Sequence, residues 1–169
     1  MRKFLDALYN GAAAVAAFCM VMLLIQVMLS ISGRLLHFHV KGTDAYAGYM
    51  MAAAGFLSLA YTLKRGEHIR VTLFLAKMKG SAKHWMECWA LFVTSLLAGL
   101  MAFYSCRLVY QSILFNDIST SNDATPLWIP QLAMAIGTVI LFIAFLDELY
   151  LEVTNQRKDI VPTESLRNE

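Results

Sequence analysis

GAAAVAAFCMVMLLIQVMLSI, residues 11–31, contains no Asp, Glu, Lys, Arg or His, and the uncharged run extends from Asp6 to Arg34. Three more such windows follow, between Asp44 and Lys64, Glu87 and Arg107, and Asp123 and Asp147. All four histidines, His37, His39, His68 and His84, fall outside them. A helix crossing a bilayer core needs about 20 apolar residues, and each window suffices. The expectation is an all-α integral membrane protein with four transmembrane helices, spanning about 11–33, 45–64, 86–107 and 126–147. With 59% apolar residues and a mean hydropathy of +0.56, spans and short connections consume residues 1–155 as one domain. Residues 156–169 form a polar tail, and no soluble catalytic domain fits.

Outside the spans, charge sets an orientation. Arg2, Lys3, Lys64, Arg65, Arg70, Lys77, Lys79, Lys83, Arg157, Lys158 and Arg167 lie on one side, against Arg34, Lys41 and Arg107 on the other. Short loops rich in Lys and Arg stay in the cytoplasm, so the N-terminus, second loop and tail are expected inside. Trp85, Trp89, Trp128, Tyr46, Tyr61 and Tyr150 sit near the span ends, where amphipathic rings suit the membrane interface. Although Arg2 and Lys3 precede the first apolar run, that run is too long for a signal-peptide core and no small-x-small site follows it. The first helix is expected to remain uncleaved.

The connections carry the remaining local signals. Asp117, Ser119, Thr120, Ser121, Asn122, Asp123 and Pro126 form a breaking and capping run in the third loop. Thr125-Pro126 can open helix four, because proline is tolerated in a first turn; Pro130 offers a second start. In the second loop, Lys64 and Arg65 complement the negative end of helix two, and Gly66 suits a left-handed cap. Glu67 to Lys79, wound as a helix, puts Arg70 and Lys77 on one stripe with apolar groups around much of the rest. A short interfacial helix against lipid headgroups or a partner groove fits that pattern.

The spans carry little chemistry. None has a carboxylate near mid-membrane, as proton-handling helices usually do, and none has an internal histidine for an axial haem ligand. Cys19, Cys88 and Cys106 have no C-x-x-C spacing and read as packed thiols. His37-x-His39 lacks the further ligands a metal requires and reads as an interfacial pair, so no metal, cofactor or catalytic residue is assigned. Gln26, Ser30, Ser58, Thr94, Ser95 and Thr138 are the polar residues within spans; hydrogen bonds from them to neighbouring helices would contribute about 1 kcal/mol or less each. The run Ala52-Ala53-Ala54-Gly55 gives helix two the smoothest face. With both termini on one side, any internal repeat would be parallel, and no span carries a central proline. The inverted repeats and broken helices of many transporter ion sites are therefore not expected.

Several stretches resemble a known family. Arg34-Leu35-Leu36, Asp44-Ala45-Tyr46, Lys64-Arg65-Gly66-Glu67-His68-Ile69-Arg70-Val71, Pro126-Leu127-Trp128-Ile129-Pro130-Gln131 and Leu146-Asp147 are similar to the DctQ-like small membrane subunit of tripartite ATP-independent periplasmic (TRAP) transporters. The Gly-x-His-Ile-x-Val stretch is the most specific part, and the likeness covers about residues 1–155. It implies a bacterial inner-membrane protein that binds no cofactor or nucleic acid and acts as a scaffold in lipid. Its partners would be a large multi-span permease subunit, where sodium coupling resides, and a periplasmic substrate-binding protein. The substrate class implied is organic acids, such as dicarboxylates or sialic and other sugar acids. Arg34, Asp44, Arg65, Gly66, Glu67, His68 and Arg70 become candidate structural or subunit-interface residues. Many members carry Trp and Glu where this chain has Gly42-Thr43-Asp44; the shorter carboxylate can keep the local role by pairing with Arg34. The alternative from another class is a standalone four-helix membrane redox enzyme or adaptor.

Overall fold

A computed structural model describes residues 2–37, 42–65, 81–120 and 124–154, with backbone alone for residues 2–4 and 81–83. Four helices account for nearly all of it: α1 (Arg2–Leu35), α2 (Thr43–Lys64), α3 (Ser81–Leu114) and α4 (Trp128–Val153). Among the described residues the only β pairing is an isolated antiparallel bridge between Ile118 and Pro126.

Leu5–Leu35, His84–Leu114 and Trp128–Val153 are each long and apolar enough to cross a membrane. α2 is not among them, because its 22 residues are rich in Ala, Gly and Tyr rather than in larger aliphatic groups. α1 and α3 have 34 residues each. At about 1.5 Å per residue each is roughly 51 Å long, well beyond the roughly 30 Å hydrocarbon core. Both must tilt or project past it. The helices thus outrun the charge-free windows, since a charged residue ends apolarity without ending a helix.

Packing follows the order α1–α2–α4–α3: α1 lies on α2, α2 on α4, and α4 on α3. The arrangement is an open row with α2 and α4 in the middle. Its main core joins Tyr9, Ala12, Ala60, Leu63, Ala98, Ile140, Leu141, Ala144 and Phe145, and a second cluster holds Cys19, Ala53 and Ala54. The small-residue face expected on α2 is therefore used, through Ala53, Ala54 and Ala60. Small residues let helix backbones approach closely, which drives association where burial of apolar surface gives little. Phe18, Leu24 and Met28 on α1, and Phe92, Leu96 and Phe103 on α3, stay exposed. Apolar surface on this scale needs lipid or a protein partner over it.

Ser30 makes the expected interhelical bond, to Asp44 of α2, while other hydroxyls within the helices bond locally. Thr138 Oγ1 donates to the Met134 and Ala135 carbonyls, each at 3.0 Å, Ser58 Oγ to Gly55 at 2.9 Å, and Thr94 Oγ1 to Ala90. The interhelical bonds expected of these side chains are replaced by bonds to carbonyls three or four residues earlier, the usual resort of a helical Ser or Thr.

Helix ends refine the sequence reading. α4 starts at Trp128, with Pro126 left in the preceding bridge and Pro130 in the first turn. Proline is tolerated there because that N–H has no intrahelical acceptor. Gly42 precedes α2 at φ 85°, a left-handed position that favours glycine and strains a tryptophan. α2 ends at Lys64, where the Arg65 N–H bonds the Tyr61 carbonyl at 3.0 Å.

Candidate functional site

Polar groups gather at the two ends of the helix row. At one end, Arg34 Nη2 at the close of α1 lies 3.8 Å from Asp44 Oδ2 in the first turn of α2. Ser30 Oγ donates to the other Asp44 oxygen at 3.2 Å. The pairing expected for the shorter carboxylate is present. Its side chains are 78% and 80% exposed, so it contributes well under about 1 kcal/mol. The same end ties α2 to the α3–α4 connection. Tyr49 donates its hydroxyl to Ser119 Oγ at 2.8 Å, Thr125 Oγ1 donates to the Tyr46 hydroxyl at 3.5 Å, and the two rings meet edge to face at 6.1 Å. The connection is itself a small hairpin, with Ser119 N–H on the Thr125 carbonyl at 2.8 Å and Leu127 N–H on Asp117 at 3.0 Å. Asn116, at φ 50°, turns the chain out of α3.

The other end is richer in charge. Asp6 of α1 forms an ion pair with Lys64, the last residue of α2. The Lys64 ammonium also stands 5.0 Å over the Tyr9 ring, and the Arg65 guanidinium lies 4.9 Å over Tyr61, both within cation–π range. Tyr9 is 1% exposed, and its hydroxyl has no hydrogen-bond partner among the described residues. On the far side of the row, His84 Nδ1 meets Glu152 Oε1 at 3.0 Å, joining α3 to α4. Cys88 Sγ lies 3.7 Å from His84 Nε2. Glu152 and Glu148, one turn apart on α4, are both buried.

Between the two ends an open groove of about 430 Å³ runs between α3 and α4, lined by Met101, Tyr104, Arg107, Leu108, Gln111 and Met134 among others. Its walls are mostly apolar, and Arg107 supplies its one cationic side chain among the described residues.

A family model for the DctQ component of tripartite ATP-independent periplasmic transporters matches residues 22–155. The chain belongs to the DctQ family. No curated protein matches it. In this DctQ-family chain the matched region takes in α2, α3, α4 and the C-terminal part of α1 from residue 22, and it contains Arg34, Asp44, His84, Cys88 and Glu152.

The candidate interface residues divide between the ends. Arg34 and Asp44 come together at one, and Arg65 stands at the other beside Tyr61. Gly66, Glu67, His68 and Arg70 lie outside the described residues, as do His39 and the whole of the expected interfacial helix. The sequence reading missed three features: the Asp6–Lys64 pair, the burial of Glu148 and Glu152, and the meeting of His84, Cys88 and Glu152. His84 and Cys88 had a readable signal, since residues four apart share a helix face. Glu152 had none, because only the packing of α4 on α3 brings it to them.

Proposed function

We propose that this chain is the non-catalytic small permease subunit of a sodium-coupled, binding-protein-dependent secondary transporter for organic acids. It would be a static scaffold in the bacterial inner membrane, with four spans and both termini cytoplasmic, α2 serving as the fourth. The large permease subunit would hold the sodium and substrate sites, and the periplasmic binding protein would deliver the substrate.

The family match over residues 22–155 carries this reading. Two features support the scaffold role. The spans contain no Asp, Glu or Lys away from their ends, so nothing in mid-membrane suits a coupling ion. The open row leaves one face each of α1 and α3 apolar and uncovered, suited to lipid on one side and a multi-span partner on the other. α2 has a structural reason to be the fourth span. It packs between α1 and α4, and its buried face of Ala53, Ala54, Leu57, Ala60 and Leu63 is turned to protein, so its low apolarity is only partly set against lipid.

Co-purification tests the assignment. Expressed with a cognate large permease subunit, the tagged chain should recover that subunit in a stable detergent complex. Failure to recover it, with both proteins well expressed in the membrane, contradicts the reading.

A further inference from the structure

We propose that His84, Cys88 and Glu152 form a transition-metal site of the zinc class that clips the start of α3 to the end of α4. One donor atom from each residue lies within 4.8 Å of those of the other two. The measured approaches are 3.0 Å from the imidazole to the carboxylate and 3.7 Å from the imidazole to the thiol. With Zn–N and Zn–O bonds near 2.0–2.1 Å and Zn–S near 2.3 Å, ligand atoms on a tetrahedral ion stand about 3.3–3.7 Å apart. The two approaches are to different ring nitrogens, Nδ1 and Nε2, so an ion held by one nitrogen requires the imidazole to turn between carboxylate and thiol, drawing in donors that already lie within 4.8 Å.

The donor chemistry selects the ion. Imidazole and thiolate favour zinc and its borderline-soft relatives, whereas magnesium and calcium take oxygen ligands almost alone. His84 and Cys88, four residues apart on α3, present both donors from one helix face, the spacing by which helices commonly chelate zinc. Glu152 closes the site from the last turn of α4.

Burial is the second and independent observation. The Glu152 side chain is only 8% exposed, and Glu148 one turn earlier is 9% exposed. Carboxylates kept from water need nearby positive charge. Both glutamates already have interaction partners, and a divalent ion on Glu152 would add positive charge beside this buried carboxylate. Binding forms an S–Zn bond as the Cys88 thiol proton passes to solvent, with no change of oxidation state. Three protein ligands leave a fourth position for water or an incoming donor. The clip would fix the α3–α4 angle where the basic second loop enters α3, and it stands independently of the transport reading.

Cobalt(II) is the probe. Titrated into the purified full chain in nanodiscs, it should give a thiolate-to-cobalt charge-transfer band that saturates near about one equivalent and is removed by zinc. Zinc should also raise the Tm. Cys88→Ser should abolish the band, and His84→Gln and Glu152→Gln should weaken binding at least about tenfold. The chain carrying both Cys19→Ser and Cys106→Ser, which retains Cys88, should keep band and Tm shift. No band and no Tm shift in the unsubstituted chain, or a band lost with Cys19 and Cys106 rather than with Cys88, overturns the site.

Discussion

Gly137 of α4 meets the backbone of Phe56 in α2 so closely that a Cβ there would stand 2.6 Å from the Phe56 carbonyl oxygen and 2.7 Å from its carbon. Backbone atoms cannot swing aside, so any side chain forces the two central helices of the row apart. Gly137→Ala should therefore destabilise by roughly 1–3 kcal/mol, as overpacking commonly does. Gly55 is the control: nothing lies within 4 Å of its would-be Cβ, and Gly55→Ala should be neutral or slightly stabilising. Thermal unfolding of both variants in detergent checks the contrast, and equal effects would contradict the close α2–α4 contact.

Tyr9 offers a test of opposite sign. Its ring fills the core between α1 and the C-terminal halves of α2 and α4, while its hydroxyl has no hydrogen-bond partner among the described residues. Removing an unpartnered buried hydroxyl relieves a desolvation cost of about 1–3 kcal/mol. Tyr9→Phe should leave the Tm unchanged or raise it, and Tyr9→Leu should lower it by leaving a cavity. A clear loss of stability in Tyr9→Phe would mean that the hydroxyl is bonded after all.

The Arg34–Asp44 pair is too exposed to stabilise the chain measurably. Arg34→Ala and Asp44→Ala should change the Tm of the isolated chain by no more than a degree or two, about 0.5 kcal/mol or less. If these residues serve the subunit interface, the same substitutions should lower recovery of the complex. A large Tm loss in the isolated chain would assign them a role within the fold.

The basic second loop is tested by comparing substitutions along it. His68→Ala and Arg70→Ala should lower complex recovery or uptake, as losing a charge-assisted hydrogen bond worth about 1.5–3 kcal/mol would. Lys77→Ala and Lys79→Ala should not. Four equal effects would reduce the loop to a lipid-facing basic turn.

Orientation can be read by labelling. In a cysteine-free chain, a cysteine at Ser121 should react with an impermeant thiol reagent outside intact cells, and one at Ser81 should be spared. Equal labelling of both would refute the placement of termini and second loop in the cytoplasm.

Much of the fold was legible because hydropathy is local. A window without charge announces a helix whatever its neighbours, and all four windows fall on helices. The helix ends were less legible. α3 runs seven residues beyond Arg107, to Leu114, because an arginine near an interface can extend its head toward water without breaking the helix. Arg34 and Asp44 were readable as a pair because a short connection brings them together. Glu148 and Glu152 read as ordinary residues beyond the last window, and only the row order, with α4 between α2 and α3, buries them. Tertiary order of this kind leaves no trace in periodicity.

Transport by this chain should depend on its partners, and uptake into proteoliposomes under a sodium gradient measures that dependence. Vesicles holding this chain alone, or the large subunit alone, should take up no organic acid. Vesicles holding both, supplied with loaded binding protein, should accumulate it. Sodium-driven uptake by this chain alone would refute its role as a partner-dependent scaffold.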